Sequence, residues 1–181
     1  MTLVESTEDR ELLGFVESGE VDLSFVVFPL RPGPFQSVEL LQDPYVLLVP
    51  NDSPLAHRDR PPTLREIVEL PLIGYRSCRT TEQVEERLRV TGRDPHVVFR
   101  SDDNYTVQGM VAAGIGVALV PLLTVDPSDD RIAVVDLGDR VPARLIGVAW
   151  HRDRQRTSAA GAFVEAAEVL CGRFDSESRA A

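Results

Sequence analysis

The sequence predicts an α/β fold of alternating strands and helices, and three observations carry that expectation. Residues 107–121, VQGMVAAGIGVALVP, change apolar period in the middle: Val107, Met110, Val111 and Gly114 fall at helical spacing, whereas Val117 to Val120 form the short continuous run of a strand buried on both faces. Residues 2–26 read as strand, helix, strand, the unit that builds parallel sheets. Two Thr-x-x-Glu/Gln capping boxes, at 63–66 and 80–83, announce helices between apolar runs.

Taken in order, residues 2–5 are expected to be a strand, 9–18 a helix burying Leu12, Leu13 and Val16, and 21–26 a second strand after the Gly19 stop. A proline-rich loop at 30–35 precedes strands at 37–41 and 45–49. Thr63 to Glu66 starts a short helix, 71–75 is a strand, and Thr80 to Gln83 caps the helix carrying Val84 and Leu88. Residues 96–100 form the next strand and lead into a helix beginning near Asp103. Strands at 131–137 and 145–150 follow, then a final helix over 158–173 with Phe163, Ala167 and Leu170 inward and a small, polar tail that should fray.

The glycines Gly114 and Gly116 invite comparison with a dinucleotide fingerprint, but that motif needs strand, glycines and helix in that order. Here the helix comes first and Leu119 stands in the third glycine's place, so the glycines are read as a helix stop.

Composition narrows the function. The chain has 181 residues, 43% of them hydrophobic, enough for a sizeable core. A net charge of −10, with nineteen basic residues that are all arginine, argues against a nucleic-acid surface in this piece. The longest apolar runs fall short of the ~20 residues a membrane helix needs, and no signal peptide is read, so a cytoplasmic location and no membrane partner are expected. Cys78 and Cys171 are far apart and lack neighbours at ligand spacing, so no metal site or disulfide is expected. His57, His96 and His151 are scattered and build no nucleophilic triad, so neither catalytic residues nor a cofactor are expected.

Four phrases in this order, LLGFVESGEVDLSFV (12–26), LLQDPYVLLVPNDSPLA (40–56), LREIVELPLIGY (64–75) and VAAGIGVALVP (111–121), resemble the effector-binding domain of LysR-type transcriptional regulators, and FVEAAEVL (163–170) resembles that family's terminal helix. The resemblance implies two Rossmann-like α/β lobes joined by two crossing strands, the type 2 periplasmic-binding-protein-like arrangement. Lobe one would comprise 1–43 plus 150–181 and lobe two 44–149, with crossings near 43–45 and 150–152. Met1 falls where the family's second strand begins. The first strand and helix of lobe one are therefore expected to be missing, as are the DNA-binding domain and linker helix, and lobe one should be weak. The full-length family is homo-oligomeric, and residues 81–89 are the candidate contact of lobe two. Without the opposing helix this piece is expected to dimerise poorly.

Ligands of parallel α/β sheets collect at the carboxyl ends of the strands. That rule selects Val27, Phe28 and Pro29 after one strand, Arg76, Ser77 and Cys78 after another, and Ser101, Asp102 and Asp103 after a third. In the resembled family, positions corresponding to Val27 and Asp102 often touch effector. Asp102 and Asp103 also suit helix capping. Arg76 and Arg79 favour a carboxylate-bearing effector. The expectation is a small-molecule sensor that reaches DNA only through a winged helix-turn-helix domain outside these residues. The alternative is a solute-binding protein or enzyme on the same scaffold, or a gene fragment without a role.

Overall fold

The computed structural model describes residues 2–6, 9–76 and 79–178. It divides into two compact units, one formed by Met1–Asp43 with Arg144–Ala181 and the other by Pro44–Ala143.

The first unit contains α1 (Asp9–Ser18), β1 (Ser24–Val27), β2 (Phe35–Asp43), and, from the chain's later part, β8 (Arg144–His151) and α5 (Ser158–Ser178). Its sheet runs β1-β8-β2, and β8 pairs antiparallel with both neighbours. Consecutive residues of β8 face opposite layers. Ala149 packs with Val26 and Leu13 of α1, while Val148 packs with Leu40 and Val164 of α5.

Gly19, at φ +84°, turns the chain out of α1, and its N–H donates to the Phe15 carbonyl. Arg154, far along the sequence, donates to the Val16 and Glu17 carbonyls at 2.8 Å each, supplying the cations and donors that the end of a helix lacks.

Several expectations for this unit are corrected. Residues 2–5 form no strand; Leu3 and Val4 are exposed and no ladder pairs them, so the predicted parallel strand-helix-strand unit is absent. The second exchange between units falls at Ala143/Arg144 instead of 150–152, because the whole of β8 is hydrogen-bonded to β1 and β2. In α5 the inward face is Ala160, Val164, Ala167 and Cys171, whereas Phe163 and Leu170 are exposed. The helical period admits both stripes, and the small residues lie against the sheet because they let the helix approach it closely. Phe163 instead meets Phe25 of β1 edge-to-face at 5.9 Å. The helix also continues to Ser178, past the expected stop.

The second unit contains β3 (Tyr45–Pro50), α2 (Leu64–Ile67), β4 (Leu72–Gly74), α3 (Arg79–Arg89), β5 (Val97–Arg100), α4 (Asn104–Ala112), β6 (Val117–Pro121) and β7 (Ile132–Asp136). The sheet order is β5-β4-β6-β3-β7, parallel across β5, β4 and β6 and antiparallel at β3 and β7.

Alternation again sorts the core into layers. Tyr45, Leu47 and Val49 of β3, with Val117 and Leu119 of β6, face Ile67, Val84 and Leu88 of the α2–α3 layer. Val46, Leu48, Ala118 and Val120 face Val107 and Val111 of α4. Every residue of β6 is buried, as the continuous apolar run predicts. Gly114, at φ +71°, follows the end of α4, and a Cβ on Gly116 would lie 2.5 Å from the Pro71 carbonyl oxygen. Both glycines therefore have backbone duties.

The capping box at Thr63 forms as predicted: Thr63 Oγ1 accepts from the Glu66 N–H, and Glu66 accepts from the Thr63 N–H. At the second box α3 has begun by Arg79, so the backbone of Thr80 is already helical and the side chain of Thr80 lies outside the described residues.

Where the chain leaves and re-enters the first unit, Asp43 stands opposite Arg144 in the β2–β8 register. Asp43 is fully buried, and Nε and Nη2 of Arg144 both approach its Oδ2 at 2.7 Å. Arg144→Met is expected to cost about 3–5 kcal/mol by stranding a buried charge, and pairing it with Asp43→Leu should restore much of that loss; urea denaturation measures both. Hydrogen bonds from Thr63 and from Arg58 hold the Glu66 carboxyl at about 2, against an ordinary 4.5. Because the folded value is depressed, this contribution is complete above pH ~4.5 and is lost as pH falls towards 2. Glu66→Gln should flatten that part of the acid-stability profile.

Candidate functional site

The carboxyl ends of the parallel strands β4 and β5 lie beside the start of α4, and a long-range hydrogen-bond set ties them together. Ser101 N–H donates to the Gly74 carbonyl at 3.1 Å, and Arg76 N–H donates to Asp102 Oδ1 at 3.1 Å. Tyr75 donates its hydroxyl to Asn104 Oδ1 at 2.8 Å, and its carbonyl accepts from Arg100 at 2.8 Å. Arg100 is held in turn by Glu85 of α3 at 2.7 Å.

These contacts assign roles. Asp102 spends one oxygen joining the two strand ends. Asp103 is the N-cap of α4: its Oδ2 accepts from the Thr106 N–H at 2.6 Å. Hydrogen bonds from the Thr106 side chain and backbone hold the Asp103 carboxyl below the usual range. An acid committed to a helix terminus in this way is a poor proton shuttle at neutral pH.

What remains to meet a ligand is rich in donors. Arg76 is exposed, and its guanidinium makes no ion pair among the described residues. The Oδ1 of Asn104 is occupied by Tyr75, which leaves its amide nitrogen to donate. The N-terminal amides of α4 add partial positive charge. Donors of this kind suit a carboxylate.

Of the sequence-selected residues, Arg76, Ser101, Asp102 and Asp103 are brought together here, with the Ser101 hydroxyl accepting from the Asp103 N–H at 3.2 Å. Ser77 and Cys78 lie outside the described residues, as does the side chain of Arg79. Val27, Phe28 and Pro29 stand in the first unit at the end of β1. Phe28 packs against the core containing Leu13, Val26 and Ala149, and its ring lies so close to Gly147 that a Cβ there would be 2.5 Å away. Sequence reasoning missed Tyr75, Arg100 and Asn104 as members of the set. Their pairing spans 25 or more positions and leaves no local pattern.

Among the described residues no cluster of His, Cys, Asp and Glu is arranged to hold a metal, and no helix is long and apolar enough to cross a membrane.

Comparison with known proteins identifies the class. The family model for the LysR substrate binding domain matches residues 2–170, and the chain belongs to that family. It is 31% identical over 157 residues to the HTH-type transcriptional regulator YybE of Bacillus subtilis strain 168, covering 84% of this chain and 52% of that protein. The crystal structure of HinK, a LysR family transcriptional regulator from Pseudomonas aeruginosa, superposes with TM-score 0.82 at 23% identity, covering 93% of this chain and 60% of that one. The BenM effector binding domain with its effector benzoate superposes with TM-score 0.76 at 17% identity, covering 92% and 76%. The fold is thus the type 2 periplasmic-binding-protein-like fold of LysR effector-binding domains. The chain spans about half the length of the curated relatives it matches, and no DNA-binding domain is contained in it.

Asp103→Ala should free the Thr106 amide and accelerate hydrogen exchange several-fold in the first turn of α4 while leaving β6 protected. Amide exchange followed by NMR checks it.

Proposed function

We propose that this chain is the effector-sensing part of a LysR-type transcriptional regulator, that it binds a small carboxylate, and that it acts by occupancy and not by bond-making. The observation that carries the ligand class is the exposed Arg76 guanidinium at the ends of β4 and β5, beside the Asn104 amide and the first turn of α4. Benzoate is the effector of the structurally similar BenM domain, which supports a carboxylate as the class to test. Val27 and Pro29, at and just after the end of β1, and Ser77 are also proposed to be effector contacts. The signal would pass to a winged helix-turn-helix domain outside these residues, because a ligand shifts a two-state protein only through its differential affinity for the two states. Subunit pairing in the whole regulator is proposed to use the outer face of α3, whose Val84 and Leu88 are spent on the core.

Calorimetric titration of the 181-residue chain with benzoate and a series of small aliphatic acids tests this. Arg76→Gln is expected to weaken the best acid about tenfold, the scale of one charge-assisted hydrogen bond. An unchanged affinity would remove Arg76 from the site. With its net charge of −10, the chain by itself should not retard duplex DNA in a gel-shift assay at physiological salt.

A further inference from the structure

We infer that Arg100 is a positioning residue for the effector site: its guanidinium, set in place by Glu85, clamps the peptide group between Tyr75 and Arg76 and so aims the Arg76 side chain at the ligand. The consequence for binding rests on the carboxylate reading of Arg76, whereas the clamp itself stands on geometry within the second unit.

One peptide group is gripped at both ends. Its oxygen, the Tyr75 carbonyl, accepts from Nη1 of Arg100 at 2.8 Å, and its nitrogen, the Arg76 N–H, donates to Asp102 Oδ1 at 3.1 Å. A peptide unit is planar, so holding its oxygen and its nitrogen together stops it turning about the flanking Cα bonds. Those rotations decide where the Arg76 side chain starts from. A long side chain launched from a fixed backbone loses less freedom when it closes on a ligand.

Arg100 is itself fixed. It stands opposite Gly74 in the β4–β5 register, and a Cβ on Gly74 would lie 3.3 Å from its Nη1, so the glycine leaves room for the guanidinium. Nη2 stands 2.7 Å from Oε1 of Glu85, an oxygen sealed from solvent. The other Glu85 oxygen is held by Arg89 at 3.1 Å. A carboxylate enclosed in this way keeps a cation beside it, because an unpaired buried charge is costly. One nitrogen of the Arg100 fork therefore serves α3 while the other serves the end of β4. A lysine ammonium is a single point and cannot occupy both places.

The test compares Arg100→Lys, which keeps a positive charge beside Glu85, with Gly74→Ala, which keeps every charge but crowds the guanidinium. In the ¹⁵N-labelled 181-residue chain both are expected to accelerate hydrogen exchange of the Arg76 amide several-fold while the β6 amides exchange as in the parent. Calorimetric titration with benzoate should show Arg100→Lys weakening binding about three- to tenfold, the scale of leaving one side chain to be ordered on binding. In an Arg76→Gln background the same change should weaken binding no further, whereas a general loosening of the fold would act in both backgrounds. The inference is overturned if Arg100→Lys leaves Arg76 exchange unaltered, if it spares a benzoate affinity that Arg76→Gln lowers, or if it weakens benzoate equally in both backgrounds. Gly74→Ala decides the exchange question if Arg100→Lys disturbs β6 as well. If benzoate does not bind the parent, or binds Arg76→Gln equally well, the carboxylate reading falls for that acid and the exchange result alone decides whether the clamp exists.

Discussion

The ion pair between Asp43 and Arg144 is the constraint on which the discontinuous first unit depends. Those two residues close the β2–β8 ladder at the points where the chain departs and returns, after an excursion through Pro44–Ala143. Closing so long a loop costs entropy. A fully buried carboxylate met by two guanidinium nitrogens fixes the register there, because a slip of one residue would strand both charges. Arg154 extends the same logic, tying the later part of the chain to the end of α1.

With the ends fixed, strict alternation along the strands does the remaining work. In each unit one central strand supplies two cores: β8 through Val148 and Ala149, and β3 through its odd- and even-numbered residues. Covering both faces of the second unit's sheet forces the parallel strands β4 and β5 to open at one end, beside the start of α4. The donors gathered there follow from topology, as the general behaviour of α/β sheets leads one to expect.

Much of this was legible in the sequence, wherever the signal was local. The switch of period between Val107 and Val120, the Thr63 capping box and the Asp103 helix start all rest on neighbouring residues and occur where expected. Elements whose fate depends on remote partners were misread. Residues 2–5 have strand-like composition, but a strand exists only if another pairs with it. The inward stripe of α5 went to Ala160 and Val164 because the sheet beneath them admits small side chains, a fact that helical spacing does not contain. The site shows the same division: the rule of strand ends found Arg76 and Asp102, while the Tyr75–Asn104 and Arg100–Tyr75 contacts join segments that no local motif links.

The adjacency of Asp43 and Arg144 also bears on modularity. Since these residues are ladder neighbours, the hundred or so residues between them begin and end at nearly the same place, which is the geometry of an inserted domain. Such a module can be exchanged for a relative's counterpart, or bridged by a tight hairpin, with little demand on the host sheet. Evolution can therefore vary the ligand chemistry carried by the insert while leaving the host's strand register intact.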